Sequence, residues 1–352
     1  MMRKSQMDEN GYLWNRSGEP DPTVARLESI LAPLRHRGHV PALPARRSRP
    51  MPWLKGWAVP ALSAAAVVLV AAALWAAFGM RRAGWSVQSM AGSPVVDGRA
   101  LDGTRADSLE AGKTARLGIG DWLVTDGASR ARIDVGAIGR VDIEPNTRVQ
   151  LVEARGSEHR MALARGTIHA RIWAPPRFFY VNTPSAVAID LGCEYTLHVD
   201  DSGAGLIRVT SGWVAFESEG REAYIPEGAV GATRLGSGPG TPRYDDAPSG
   251  YGEALNRIDF GAPGDPERAA ALELVLSTAR RRDALTLWHL LARGTLDERA
   301  RVYERLAALA PPPSGVTRDE VLGGDRRVLA QWWDALGIDN SSWWRSLKKK
   351  KF

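Results

Sequence analysis

A repeat of 46 residues is the strongest constraint that this 352-residue chain places on its own fold. Leu117, Leu163 and Val209 are each followed three residues later by a glycine: Gly120, Gly166 and Gly212. In the same register Val141 and Ile143 recur as Val187 and Ile189, and Val149 and Leu151 recur as Tyr195 and Leu197. Between about residues 113 and 232, apolar and polar residues alternate and glycine turns break the runs, the pattern of short, half-buried strands. A fixed period in this range marks stacked supersecondary units. A β-solenoid and a closely wound β-sandwich both satisfy it. We read it as a solenoid-like stack of short strands, with inward positions forming the core and two ends that need capping.

A second constraint lies upstream. Trp57–Met80 runs for 24 residues without a charge. As a helix it would reach ~36 Å, against a hydrocarbon core of about 30 Å. Pro60 falls in the first turn, where its missing N–H costs little. Trp53, Trp57 and Trp85 flank the run as interfacial aromatics do. It begins too late and runs too long for a cleaved leader. These features predict one transmembrane helix, with its flanks over 53–82 and the lipid bilayer as a partner. Arg35, Arg37, Arg46, Arg47, Arg49 and Lys55 precede it, against Arg81, Arg82 and Arg99 after it, which keeps the N-terminus cytoplasmic.

Charge divides along the same line. Residues 1–56 carry 10 Lys/Arg and 5 Asp/Glu, residues 83–264 carry 18 and 23, and residues 265–352 carry 16 and 12. The central region is mildly acidic, which argues against a nucleic-acid partner, since such a domain concentrates basic charge on its folded part. The single cysteine, Cys193, allows no intrachain disulfide and no multi-cysteine zinc site.

Within the cytoplasmic segment, 1–52, Asp21-Pro22 is a helix start, with Asp as N-cap and Pro at the first helical position. Val24, Leu27, Ile30, Leu31 and Leu34 follow at helical spacing and predict one apolar stripe on a helix over about 21–37. Gly38 can stop it, and a Pro/Arg-rich linker follows. So short a helix needs a partner for its stripe: another copy, a membrane surface or a cytosolic protein.

The central region resembles a known family. The run GDWLVTDG (Gly120–Gly127), with Asp121 and Thr125, is followed by ARIDV, VDIEPNTRVQL and GTIHARI. Then come FYVNTPSAVAIDLGCEYTLHV (Phe179–Val199) and VTSGWVAF (Val209–Phe216). This is similar to the FecR domain of bacterial envelope signalling proteins. The most specific part is Val181, Thr183, Pro184 and Ala186, leading to Gly192 and Val199. Cys193 stands where Thr is usual, and Tyr195 where Phe is usual. The resemblance covers roughly residues 113–232. It implies a bacterial inner-membrane protein whose periplasmic FecR-like β domain, 83–234, senses a signal and relays it to a cytoplasmic partner such as a sigma factor. It equally admits a membrane-tethered periplasmic scaffold that binds an envelope protein or polymer, because FecR domains also occur without a sigma partner. The N-terminal segment is shorter than a full anti-sigma domain, and the C-terminal region is not the small α/β docking module of the best-known members.

Residues 235–264, rich in Gly, Pro and Ser, read as a linker. From Asp265-Pro266 a small all-α region is expected over 265–352. Its first pattern carries Leu272, Val275, Leu276, Leu285, Leu287, Leu290 and Leu291. The second runs from Asp297 to Leu309, and the third starts near Thr317 and includes Trp332 and Trp333. Trp343 and Trp344, beside Lys348–Lys351, suit either a core or an exposed contact. No catalytic, cofactor-binding or metal-ligating constellation stands out. There is no nucleophile elbow, Walker motif or dinucleotide fingerprint, and Glu194 beside Cys193 disfavours a thiolate.

Overall fold

The computed structural model describes residues 22–34 and 84–338, apart from 101–102, 109–111, 219 and 263–264. Asp21, the Trp57–Met80 run, Trp343, Trp344 and Lys348–Lys351 lie outside them. The chain divides into two units, Met1–Val67 and Val68–Phe352. The described part of the first is a helix, α1 (Pro22–Leu31), continued by a 3-10 turn, Ala32–Leu34.

The second unit opens with strands β1 (Gly84–Ala91), β2 (Val95–Ala100), β3 (Gly103–Ser108), β4 (Thr114–Gly118), β5 (Trp122–Val124) and β6 (Arg130–Val135). It continues with β7 (Gly139–Ile143), β8 (Arg148–Arg155), β9 (Glu158–Ile172), β10 (Phe179–Asn182), β11 (Val187–Asp190) and β12 (Glu194–Val199). Then follow β13 (Gly205–Ser211), β14 (Trp213–Ser218), β15 (Arg221–Pro226), β16 (Ala229–Arg234), β17 (Gly238–Pro239) and β18 (Arg243–Tyr244). One layer is antiparallel, in the order β4-β1-β6-β7-β9-β12-β13-β16, with β17 and β18 on β16. The other runs β3-β2-β5-β8-β9-β10-β11-β14-β15, antiparallel except where β10 lies parallel to β9. The 15-residue β9 belongs to both. Its first half pairs with β8 and β10, and its second half, from Gly166, with β7 and β12. Alternate residues of both layers, among them Ile133, Val141, Leu163, Val181, Leu197 and Phe216, meet in one shared core.

This two-layer sandwich corrects the solenoid-like expectation. In a solenoid, equivalent strands of successive coils stack side by side. Here residues 46 apart are not neighbours. Val149 and Leu151 pair with Leu163 and Met161 in the second layer. Their counterparts Tyr195 and Leu197 pair with Val209 and Ile207 in the first. Each unit is thus displaced into the opposite layer, and the glycines of the repeat mark the crossings. Gly120, Gly166 and Gly212 have φ of 93°, 95° and 75°, a region that side chains rarely tolerate. The transmembrane element of the expected fold has no counterpart among the described residues. Among the described residues no helix is long and apolar enough to cross a membrane, and the run 57–80 lies outside them.

The helices of the second unit are α2 (Tyr251–Phe260), α3 (Arg268–Thr278), α4 (Ala284–Leu290), α5 (Leu296–Leu309), α6 (Arg318–Gly323) and α7 (Arg326–Leu336). The stretch 235–264, expected as a linker, carries β17, β18 and α2. Local composition hides this because the segment is pinned by distant partners: the Asp259 carboxylate accepts the N–H and hydroxyl of Thr241. The continuous first helical pattern is split by a 3-10 turn at Arg281–Asp283. Thr295 with Glu298, and Thr317 with Glu320, form capping boxes that start α5 and α6. Tyr251, Leu272, Val275, Leu287, Leu306 and Trp332 build a second core, while Leu285 and Trp333 reach into the sandwich core.

Candidate functional site

On α1 the stripe residues share one face. Leu27, Ile30, Leu31 and Leu34 are exposed by 54%, 61%, 55% and 78%, and Val24 is half-buried. Three of these large aliphatic side chains on α1 and Leu34 on the 3-10 turn after it make a surface with the i, i+3, i+4 and i+7 spacing of helix-in-groove anchors.

The motif residues of the β region lie at its corners. Gly120 is the crossing from β4 to β5, and the Asp121 carboxylate there accepts the Gly118 N–H at 2.8 Å. Thr125, buried, donates its hydroxyl to Glu144 O at 2.7 Å and accepts the Thr147 N–H at 2.9 Å. Val181 is core. The Thr183 hydroxyl closes the next turn by donating to Ala186 O at 2.8 Å and accepting the Ala186 N–H at 3.0 Å, with Pro184 exposed at its tip. These are turn-building roles, spread over several corners.

Three motif residues, Gly192, Tyr195 and Gly212, do come together, around Cys193 and an Asp190 that the sequence pattern misplaces. Alternation along β11 puts Asp190 outward beside an inward Ile189, yet both are buried and Asp190 is only 1% exposed. The reason is its place at the strand end. There Asp190 pairs with Val214 of β14, and the next residue, Leu191, donates its N–H to Trp213 O. The Asp190 carboxylate accepts the Gly192 N–H at 2.7 Å and the Cys193 S–H at 2.7 Å. Burial pushes its pKa up to about 7, against the pull of those hydrogen bonds. Burial first, then the Asp190 charge, pushes the Cys193 thiol well up, so the sulfur stays protonated and is a poor nucleophile. Tyr195 is buried beside them; its hydroxyl has no hydrogen-bond partner among the described residues, and burial and then Asp190 raise its pKa. The repeat held the one available signal: Asp190 and Cys193 stand where Glu144 and Thr147 stand one unit earlier.

A further cluster lies where the helices meet the edge strand β15. His289 is buried among Tyr224, Trp288 and Trp333. Its Nε2 accepts the Tyr224 N–H at 3.0 Å, so Nδ1 carries the proton donated to Leu285 O at 2.8 Å. Burial pulls its pKa down to about 3. An otherwise open edge amide is thus closed by a neutral imidazole. Arg293 adds a half-buried ion pair to Asp259 at 2.5 Å. Elsewhere His169 and His198 are exposed and bonded to Thr196 and Thr167. Among the described residues no group of three or more His, Cys, Asp or Glu could hold a metal ion.

No family model matches the chain, and no curated protein matches it. Two crystal structures of a candidate anti-sigma factor from Parabacteroides distasonis are similar to part of it, each with a TM-score of 0.32 and 12% identity over 38% of this chain. The match covers 63% of one and 62% of the other, so this chain spans less than two thirds of either protein.

Proposed function

We propose that the chain is an envelope regulator of the FecR kind, in which the β sandwich receives a signal and α1 engages a cytoplasmic partner such as a sigma factor. The exposed stripe on α1 carries this reading. A helix of 10 residues is marginal alone, and burying each leucine in a partner's groove would contribute roughly 1.5–3 kcal/mol. The FecR-like motif residues Gly120, Thr183, Pro184 and Gly192, each at a turn, support the sandwich half of the reading. The Lys/Arg asymmetry around residues 57–80 supports a bacterial inner-membrane location, with the N-terminus cytoplasmic and residues 84–338 periplasmic. No enzymatic step is part of the proposal.

Peptide 1–50 is used to capture proteins from bacterial cytosol, wild type against Leu27→Asp with Leu31→Asp. A sigma factor retained by the wild type and lost with the double variant is the expected result. Equal retention, or none, removes the signalling reading. It would leave a periplasmic scaffold that binds an envelope protein or polymer, a reading favoured by the helices docked on the β15 edge. Location is checked separately by alkaline phosphatase fused after residue 90, expected to be active, and after residue 45, expected to be inactive.

A further inference from the structure

We propose that Asp190 and Cys193 form a proton-responsive corner of the sandwich, closed while Asp190 is protonated and loosened when it ionises. The geometry carries this. Asp190 lies in the core, and its carboxyl is held by the backbone N–H groups of Gly192 and Cys193 and by the Cys193 thiol. The charged groups of the flanking elements turn to one another, although the Nε of Arg177 is buried without a hydrogen-bond partner among the described residues. Ahead of β10, Arg177 gives Asp190 O only its backbone N–H, while its guanidinium pairs with Glu217 of β14 at 2.9 Å. On β12 and β9, Glu194 and Arg171 pair with each other. Tyr180 of β10 is also raised by burial, and the Tyr195 hydroxyl is a buried group without a hydrogen-bond partner among the described residues. A carboxylate here would therefore be a charge in an apolar corner that no cation among the described residues pairs with. The corner is also tight: a Cβ on Gly212 would sit 2.2 Å from Gly192 O and 3.1 Å from Cys193 Cα. A charge here cannot be solvated without moving the β11–β12 turn. The raised Asp190 pKa places that event near neutrality.

The one cysteine of the chain makes the corner its own reporter. Cys193 in the full-length protein is labelled with a small aromatic disulfide reagent between pH 5 and 8. The rate is divided at each pH by that of the urea-unfolded chain, to remove the ordinary titration of the thiol. If opening exposes Asp190 to water, protection should fall about tenfold per pH unit from pH 5 to 7 and level off above. Asp190→Asn should be flat. A flat wild type overturns the proposal, as does an equal slope in Asp190→Asn. Should that variant fail to fold, the wild type is titrated by NMR with carboxyl-labelled aspartate. A buried carboxyl titrating between pH 6 and 8 is expected, and its absence overturns the proposal.

Discussion

The sandwich crosses between its layers at Gly166 and again at Gly212, and these corners occupy equivalent places in the repeat. At the first, the Thr147 hydroxyl donates to Thr167 O at 3.2 Å and accepts the Thr167 N–H at 2.9 Å, while Glu144 faces outward to Arg130 and His169. At the second, Cys193 replaces Thr147 and Asp190 replaces Glu144, and the carboxylate turns inward onto the thiol. The backbone is shared because only glycine fits where a Cβ would strike the facing chain. The chemistry is not shared, because the outward acid pairs with the Arg130 guanidinium and the inward one pairs with no cation among the described residues. A repeat therefore fixes the scaffold, and its departures show where a side chain has been given another task.

The hardest test of the shared scaffold is to fill the glycines. A Cβ on Gly166 would lie 2.3 Å from Thr147 Oγ1 and 2.4 Å from Thr147 Cα. Together with the left-handed backbone, that clash should cost Gly166→Ala and Gly212→Ala at least about 4 kcal/mol each, or abolish folding. Gly120 has the same backbone, but nothing lies within 4 Å of its Cβ position. Gly120→Ala should lose only about 1–2 kcal/mol. Urea denaturation of the three variants decides, and equal losses would mean that contact does not distinguish the corners.

A smaller effect separates the acid corner from the helix–sheet junction. Asp190 titrates near 7 when folded and near 3.8 when unfolded, so the folded state holds the extra proton between these values. Its contribution to stability is complete below about pH 4 and is lost as pH rises to 7, by up to roughly 4 kcal/mol. His289 works the other way. Its folded pKa of about 3 lies below the ordinary 6.5, so its contribution is present above pH 6.5 and is lost as pH falls towards 3, by a similar amount. Between pH 4 and 6.5 the two slopes oppose each other. Asp190→Asn should leave stability rising with pH in this window, and His289→Gln should leave it falling. Denaturation at pH 4, 5 and 6 checks both signs, and identical slopes in the two variants would break the assignment.

The mildest change restores the repeat. In Cys193→Thr a hydroxyl takes the place of the thiol as donor to Asp190, at nearly the same volume. Stability should change by less than about 1 kcal/mol, with the pH slope of Asp190 retained. A larger loss would show that the thiol itself holds the corner.

Much of this architecture was legible in advance. Alternation located the strands, the glycines marked breaks between them without showing that the chain changes layer there, and a helix was expected to start near Thr317. The split at Arg281–Asp283 and the ordered segment after residue 234 were not legible. Both depend on partners far along the chain, as when Arg280 and Arg282 pair with Asp246. Asp190 was misplaced because period-two alternation assumes one covered face, and the end of β11 is covered on both.

By itself the sequence determined most of the inward-facing strand positions, that glycines break the strands and that α1 carries an apolar stripe, since each follows from local periodicity and steric freedom. Tertiary structure alone decided that the repeat alternates between two layers instead of stacking into a coil. An inward pattern fixes which face is buried but not which strand lies alongside. The pairing is chosen by the long β9, whose two halves at Gly166 are claimed by different sheets.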